Sequence, residues 1–188
     1  MSQVYTESTQ APTLPSGRWQ VDPAHSSIEF GIKHLLITTV KGKFGEFEGI
    51  IEVAEDGSAH ASASVRSESI DTHEPQRDGH LRSPDFFDAD RFPEIQFESS
   101  RIENVEGNRF RVRGDLSIRD ATQELELEAE LTGSAVDPWG NERIGLVLRG
   151  QLNPNDYGVD WNQELESGGN LLGDRVDIVV DVSALKGS

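Results

Sequence analysis

The sequence contains no cysteine, one methionine and no long hydrophobic run. Without cysteine there can be no disulfide bond, no thiolate nucleophile and no metal site with cysteine ligands. A metal ion would have to be held by the five histidines and by carboxylates. No stretch approaches the roughly 18 consecutive apolar residues of a membrane-spanning helix, so we expect no stable membrane insertion.

Basic residues are also scarce. The 188-residue chain has 17 Lys and Arg against 34 Asp and Glu, which gives a formal net charge of −17. A surface this acidic repels phosphate backbones, because their binding depends on clustered Lys and Arg that release counterions. We therefore predict that nucleic acid is not a partner.

The length predicts one domain, which we place at residues 18–188. Residues 1–17 have neither a basic start nor an apolar run, so they do not have the pattern of a secretory signal. We expect this segment to be a flexible N-terminal arm. The same observation predicts a cytoplasmic location.

Most of the remaining chain alternates between apolar and polar residues with a period of two, which is typical of strands with one buried face. Evenly spaced strands of this kind predict an all-β barrel or sandwich with about eight strands. The apolar residues of the candidate strands fall in the runs 18–21, 28–32, 47–53, 59–65, 95–97, 110–118, 125–131, 144–152 and 176–182.

Arginines line the polar face of the run that ends at Ile118, and glutamates line the polar face of the next run. The two runs are expected to form a hairpin that turns at residues 120–121, with the arginines opposite the glutamates. This register pairs Leu116 with Leu125 and Arg113 with Glu128.

Residues 69–92 are too polar and irregular for a strand, and Ser83-Pro84-Asp85 is the pattern expected at the start of a short helix. Several predicted inward positions carry small residues. They either leave room for a slender apolar ligand or mark bends and make room for large neighbours. These small residues are Gly49, Ala59, Ala61, Ala63, Gly114, Ala129, Gly133 and Gly150.

Six segments resemble motifs of the YceI-like family. They are WQVDPAHSSIEFGIKHLLITTVKGKFGEF (19–47), RDGHLRSPDFFDADRFPEIQFES (77–99), GDLSIR (114–119), DPWG (137–140), NPNDYG (153–158) and LGDRV (172–176). The resemblance covers residues 18–184, with Pro154 standing where the family usually has a basic or polar residue.

The resemblance implies a single eight-stranded antiparallel lipocalin-like barrel, with a short helix or irregular segment around residues 69–92. It also implies that the barrel binds a polyisoprenoid, a quinone-like lipid or a related amphiphile. A homodimer is a further implication.

The chain is therefore predicted to sequester or transport an apolar lipid without catalysing a reaction and without a cofactor or metal ion. Each buried methylene contributes about 0.8 kcal/mol, so apolar walls alone can hold a long chain. The residues predicted to bind the ligand are Phe30, Ile32, Phe44, Phe47, Ile51, Leu81, Phe86, Phe87, Phe92, Phe97, Phe110, Leu116, Leu127, Leu146, Tyr157 and Trp161.

Two other functions remain open at this stage. His25, His34 or His80 would serve a metal-assisted or acid–base enzyme if they converged on a cavity, although their spacing matches no local ligand motif. We instead expect His25 and His80 to hydrogen-bond to the backbone at loop ends. A stress-related interaction module with a filled interior is the second alternative.

Charged residues are frequent in the irregular segment. We expect them to form salt bridges that order it, although Arg82 could instead hold a polar ligand head group. The set consists of Asp71, Arg77, Asp78, Arg82 and Asp85.

Overall fold

A computed structural model describes residues 13–166 and 168–187. The described residues form eleven strands, one α-helix and three short 3-10 helices. The strands are β1 Gly17–Val21, β2 Ser27–His34, β3 Thr38–Phe44, β4 Phe47–Val53, β5 Ala59–Arg66, β6 Ile70–Asp71, β7 Glu94–Glu106, β8 Arg109–Ile118, β9 Ala121–Val136, β10 Glu142–Leu152 and β11 Leu172–Lys186. The helices are α1 Pro75–Arg82, η1 Pro23–His25, η2 Ser67–Ser69 and η3 Pro154–Tyr157.

The eleven strands form one closed antiparallel barrel of eight long strands, because three long strands are each interrupted once. β1 and β2 pair in succession with the same edge of β11. β3 and β4 pair in the same way with β2 and β1, and β6 and β5 pair with β3 and β4. The remaining strands follow in chain order from β7 to β11, and β1 closes the sheet between β4 and β11.

The predicted eight-stranded antiparallel barrel is confirmed, as is the short helix within residues 69–92. The predicted helix start at residues 83–85 is wrong. The helix begins at Pro75, and the Glu74 side chain caps it by accepting hydrogen bonds from the backbone N–H groups of Gln76 and Arg77. Residues 84–87 form turns instead.

The β8–β9 hairpin has the predicted charge pattern but not the predicted register. Arg113 is paired with Glu126 rather than Glu128, and Leu116 is paired with Gln123 rather than Leu125. The turn consists of Arg119 and Asp120 alone, with Arg119 in the left-handed region at φ 56°. The shift is two residues, so every side chain keeps its predicted face.

One end of the barrel, the base, is closed by packed apolar residues. Trp19 is 2% exposed, and its indole N–H donates a hydrogen bond of 2.9 Å to the Pro15 carbonyl. Leu14 packs beside it, within the part of the predicted arm that the structure describes, while residues 1–12 lie outside the described residues. Ile51, Val53, Ile144, Leu146, Val182 and Ala184 complete this cluster.

Arg143 joins two elements near the base. Its Nη1 lies 3.0 Å from Asp22 Oδ2 next to η1, and its Nε lies 3.0 Å from Asp137 Oδ2 in the β9–β10 turn. His25 Nδ1 lies 2.7 Å from the same Asp22 oxygen. Hydrogen bonds from His25 and Arg143 lower the pKa of Asp22 to about 2.

We expect Asp22→Asn to reduce the acid sensitivity of the fold. The carboxylate has a lower pKa in the folded chain than its ordinary value of 3.8, so it contributes stability above pH 4, which is lost between pH 4 and pH 2. The fall in unfolding free energy over that range should be smaller in the variant by about 1 kcal/mol, since solvent screening reduces the full effect. Urea unfolding followed by circular dichroism at several pH values measures it. Glu55→Gln, in an exposed turn, is the matched control, and equal slopes in Asp22→Asn and the wild type would contradict the prediction.

Candidate functional site

A cavity of about 670 Å³ occupies the interior of the barrel. Inward side chains from all the long strands form its wall, and most of them are apolar. Phe30 and Ile32 of β2, Leu116 of β8 and Ile178 of β11 are examples. The volume falls within the range of about 300–1,000 Å³ that is usual for small-molecule sites.

The cavity reaches the surface at the end opposite the base, which we call the mouth. Exposed polar residues line the cavity there, among them Thr38 at the start of β3, Asn155 in η3, and Asn162. The side chains of His34 and His80 also border the cavity at this end. The mouth therefore carries several polar groups, whereas most of the rest of the wall is apolar.

The small inward residues serve two different purposes. A Cβ atom on Gly114 would overlap the Phe97 ring, and one on Gly150 would overlap Leu127, so these glycines make room for neighbours. Ala61 and Ala63, in contrast, line the cavity. Gly49 and Ala129 also line it, whereas Gly133 is exposed and is not an inward position.

Fourteen of the sixteen residues predicted to bind a ligand lie on the cavity wall. The two that do not are Phe92 and Tyr157. Phe92 packs under the guanidinium of Arg91, with 5.2 Å from Cζ to the ring centroid. Tyr157 is 2% exposed within η3, and burial raises the pKa of its phenol to about 12. The role of the other fourteen in binding stays a prediction.

Several wall residues were not predicted to be part of the site. Leu148 on β10 and Val180 on β11 belong to alternating runs, so the period-two pattern could have identified them. Val40 was missed because β3, with the sequence TTVKGKF, has too few apolar residues to show alternation. Leu14 precedes the first strand, and no local pattern places it inside the barrel.

Aromatic rings cover one side of the mouth. The His80 ring meets Phe86 and Trp161 edge to face, with centroid distances of 5.0 and 4.8 Å. A second aromatic pair also lines the cavity: the Phe87 ring lies edge to face on Phe44, with 5.8 Å between the ring centroids. Edge-to-face pairs of this kind stabilise aromatic contacts beyond the burial of area alone.

Hydrogen bonds hold α1 and the loop after it in place. The carboxylate of Asp78 is 6% exposed and accepts from the backbone N–H of Thr72 at 2.9 Å and from its hydroxyl at 2.5 Å. Arg77 donates to the hydroxyl and the carbonyl of the same threonine. Arg119 donates to the carbonyls of Phe86 and Gly158 and so joins the loop to η3.

The prediction that salt bridges between charged side chains order this segment is wrong for most of the set. Arg82 donates to the backbone carbonyls of Glu68 and Ile70, and Asp71 accepts from the His73 N–H. Only histidines face carboxylates of this set as side-chain partners among the described residues: His73 lies 3.8 Å from Asp71, and His80 lies 2.8 Å from Asp85. Backbone N–H and carbonyl groups thus take the place of most of the expected ionic partners. Arg77, rather than Arg82, borders the cavity.

The three histidines considered for catalysis occupy different places. His34 and His80 border the cavity, whereas His25 lies in η1 next to Asp22 and does not line it. The expected backbone partners of His25 and His80 are wrong, since their ring nitrogens face the carboxylates of Asp22 and Asp85 at 2.7 and 2.8 Å. In residues 13–166 and 168–187, no three His, Asp or Glu side chains form a group suited to a metal ion.

Among the helices of the described residues, none combines the length and the apolar character needed to cross a membrane.

The sequence matches a family model described as the YceI-like domain over residues 19–184. It is also 39% identical over 159 residues to a UPF0312 protein of Staphylococcus aureus strain N315. That match covers 82% of this chain and 90% of the relative. A UPF0312 protein of strain MSSA476 is 37% identical with the same coverage.

Three solved structures are similar in fold. BcnA of Burkholderia cenocepacia has a TM-score of 0.76 at 18% identity, with 87% of this chain and 98% of that chain covered. The YceI protein of Campylobacter jejuni has a TM-score of 0.71 at 27% identity, with 84% and 91% covered. A polyisoprenoid-binding domain from Saccharophagus degradans has a TM-score of 0.66 at 12% identity, with 90% and 98% covered.

Proposed function

Because the chain belongs to the YceI-like family, we propose that it binds a long isoprenoid or quinone-like lipid inside the barrel and sequesters or transports it without chemical change. The cavity of about 670 Å³ with its apolar wall is the observation that carries this proposal. The Saccharophagus degradans neighbour, named a polyisoprenoid-binding domain, supports the same ligand class.

The energetics of an apolar wall are sufficient for such a ligand. Ten buried methylenes would contribute about 8 kcal/mol, and each further methylene adds to the surplus that remains after the ligand loses its freedom of motion. The barrel positions the wall before the ligand arrives, so little ordering of the protein opposes binding. No reacting group is needed for this function.

The arrangement of the mouth favours one orientation of an amphiphile. Its apolar tail would extend toward Leu146 near the base, and its polar end would stay beside His34, His80 and Asn162. A polar head group can form hydrogen bonds with these side chains and with water at the mouth, whereas in the apolar interior it would have no hydrogen-bond partners.

Mass spectrometry of lipid extracted from natively purified protein tests the proposal. We expect an apolar lipid of defined mass in the wild type and its loss in a variant whose cavity is blocked. A direct titration with geranylgeraniol, followed by tryptophan fluorescence, should saturate at one molecule per chain. Absence of both extracted lipid and geranylgeraniol binding would overturn the proposal.

The interaction module with a filled interior is less well supported, because its barrel would have no cavity. A cytoplasmic location and a homodimer stay predictions. Cell fractionation and light scattering test them.

A further inference from the structure

Three apolar side chains project from the barrel at its mouth. Leu35, Leu36 and Ile37 form the tip of the β2–β3 hairpin and are 39%, 72% and 78% exposed. The residues on either side of the tip, His34 and Thr38, both line the cavity. Contiguous exposed apolar residues of this kind mark contact sites for proteins or membranes.

The backbone of this tip is an unfavourable one for leucine. Leu35 and Leu36 have φ values of 55° and 59°, and the Ile37 N–H donates to the His34 carbonyl at 3.1 Å, which makes a type I′ turn. Asn-Gly is the favoured pair in such a turn, because left-handed backbone is costly for large side chains. The turn therefore carries apolar groups that the folding of the hairpin does not require.

The hairpin is basic in an otherwise acidic protein. Residues 30–45 contain three of the four lysines and no acidic residue, whereas the whole chain has a net charge of −17. Because Ile32 and Val40 point into the cavity, Lys33 and Lys41 project from the outer face. Within the described residues neither lysine has a carboxylate within 4.0 Å.

The third lysine has a different environment. Lys43 is paired in register with Glu29 on β2 and with Asp71 on β6, so its charge is partly balanced. Lys33 and Lys41 are paired in register with Thr39 and Gly31. The two lysines without a carboxylate opposite them in the β2–β3 register thus lie nearest the apolar tip.

The closed end of the barrel offers a comparison. Trp139 and Val136 are 81% and 67% exposed there, but their turn includes Asp137 and is followed by Glu142. That surface combines apolar groups with negative charge, which anionic lipid head groups repel. Apolar residues and free lysines occur together at the mouth.

We propose that the β2–β3 hairpin docks the mouth of the barrel on anionic lipid bilayers, with Leu35, Leu36 and Ile37 entering the interface and Lys33 and Lys41 facing the head groups. Apolar insertion and electrostatic attraction together give reversible binding to such membranes. Docking does not require the lipid ligand, whereas its use in loading the cavity rests on the proposed function. The hairpin joins the wall directly, since the Leu35 N–H donates to the carbonyl of Leu171, which lines the cavity.

Flotation with vesicles of phosphatidylcholine containing about one-quarter phosphatidylglycerol tests docking. The key variant is Leu35→Asn with Leu36→Gly, which suits the type I′ turn and so should fold at least as stably as the wild type. We expect its vesicle partition coefficient to fall at least tenfold. Trp139→Ser removes a more exposed apolar residue at the other end and should leave vesicle binding unchanged.

The contribution of the lysine charges to vesicle binding is tested with a separate variant and control. Lys33→Gln with Lys41→Gln should lower binding about tenfold on anionic vesicles, whereas Lys43→Gln should lower it far less. Wild-type binding should weaken when the salt concentration rises from about 50 to about 300 mM.

Three results would overturn the docking proposal: no wild-type binding to these vesicles, equal binding by the Asn-Gly variant, or an equal loss in Trp139→Ser. Light scattering that shows a dimer of the wild type and a monomer of the Asn-Gly variant would assign the tip to a second copy of the chain instead.

The test is independent of the cavity, because Ala63→Trp should still bind vesicles and the Asn-Gly variant should still bind geranylgeraniol added from solution.

Discussion

Ala63→Trp should abolish most lipid binding while the barrel stays folded. Ala63 lines the cavity, and the residue paired with it in register on β4 is Gly49, which has no side chain to obstruct an indole. An indole that excludes about four methylenes of a bound chain would remove about 3 kcal/mol of binding energy. We therefore expect the dissociation constant for geranylgeraniol to rise about 100-fold.

Ser64→Trp is the matched control, because Ser64 is the next residue on β5 and is not part of the cavity wall. It adds the same ring on the other face of the strand and should leave lipid affinity unchanged. Both variants should unfold within about 2 kcal/mol of the wild type, since the cavity accommodates the added volume in the first. Wild-type affinity in a folded Ala63→Trp protein would show that the lipid binds elsewhere.

Trp19→Ala should cause the largest loss of stability among single substitutions at the base. The side chain is 2% exposed, packs against Ile51 and Ile144, and donates its indole N–H to Pro15. Replacing a buried tryptophan by alanine costs about 3–5 kcal/mol through lost burial and the space left behind. That is a large fraction of the roughly 5–15 kcal/mol by which a domain is usually stable.

Trp139→Ala supplies the comparison for this prediction, because Trp139 is 81% exposed and should change stability by no more than about 0.5 kcal/mol. Urea unfolding followed by circular dichroism measures both variants. A cost below about 1 kcal/mol for Trp19→Ala would mean that the base is not a packed closure of the barrel.

Patterning along the chain predicted which face of most strands is buried, and tertiary structure decided how the strands meet. β8 and β9 illustrate both parts. Their arginines and glutamates face outward as alternation required, but the register differs by two residues because Arg119 adopts a left-handed turn conformation. Alternation repeats every two residues, so it cannot distinguish registers that differ by two.

Local sequence patterns also failed to predict the short polar strand β3 and the residue at which the helix begins. β3 contains Lys41, Gly42 and Lys43, so its sequence shows no apolar side chain at these positions. In the fold the ring of Phe30, from β2, covers Gly42 and supplies the apolar group there. The helix begins at Pro75, where the Glu74 side chain caps it. The sequence pattern also permitted a start at Pro84, nine residues later, because proline is favoured in the first turn of a helix in both places.

The amino-acid sequence by itself determined an acidic, cysteine-free, all-β chain with one apolar face on most of its strands, and its motifs resembled one family closely enough to predict the barrel. Only the tertiary structure decided whether that barrel was filled or hollow. The reason is that an inward small residue has the same local signature in both cases. Phe97 fills the space beside Gly114, whereas Ala63 borders an open cavity, because the residues that approach each position come from neighbouring strands.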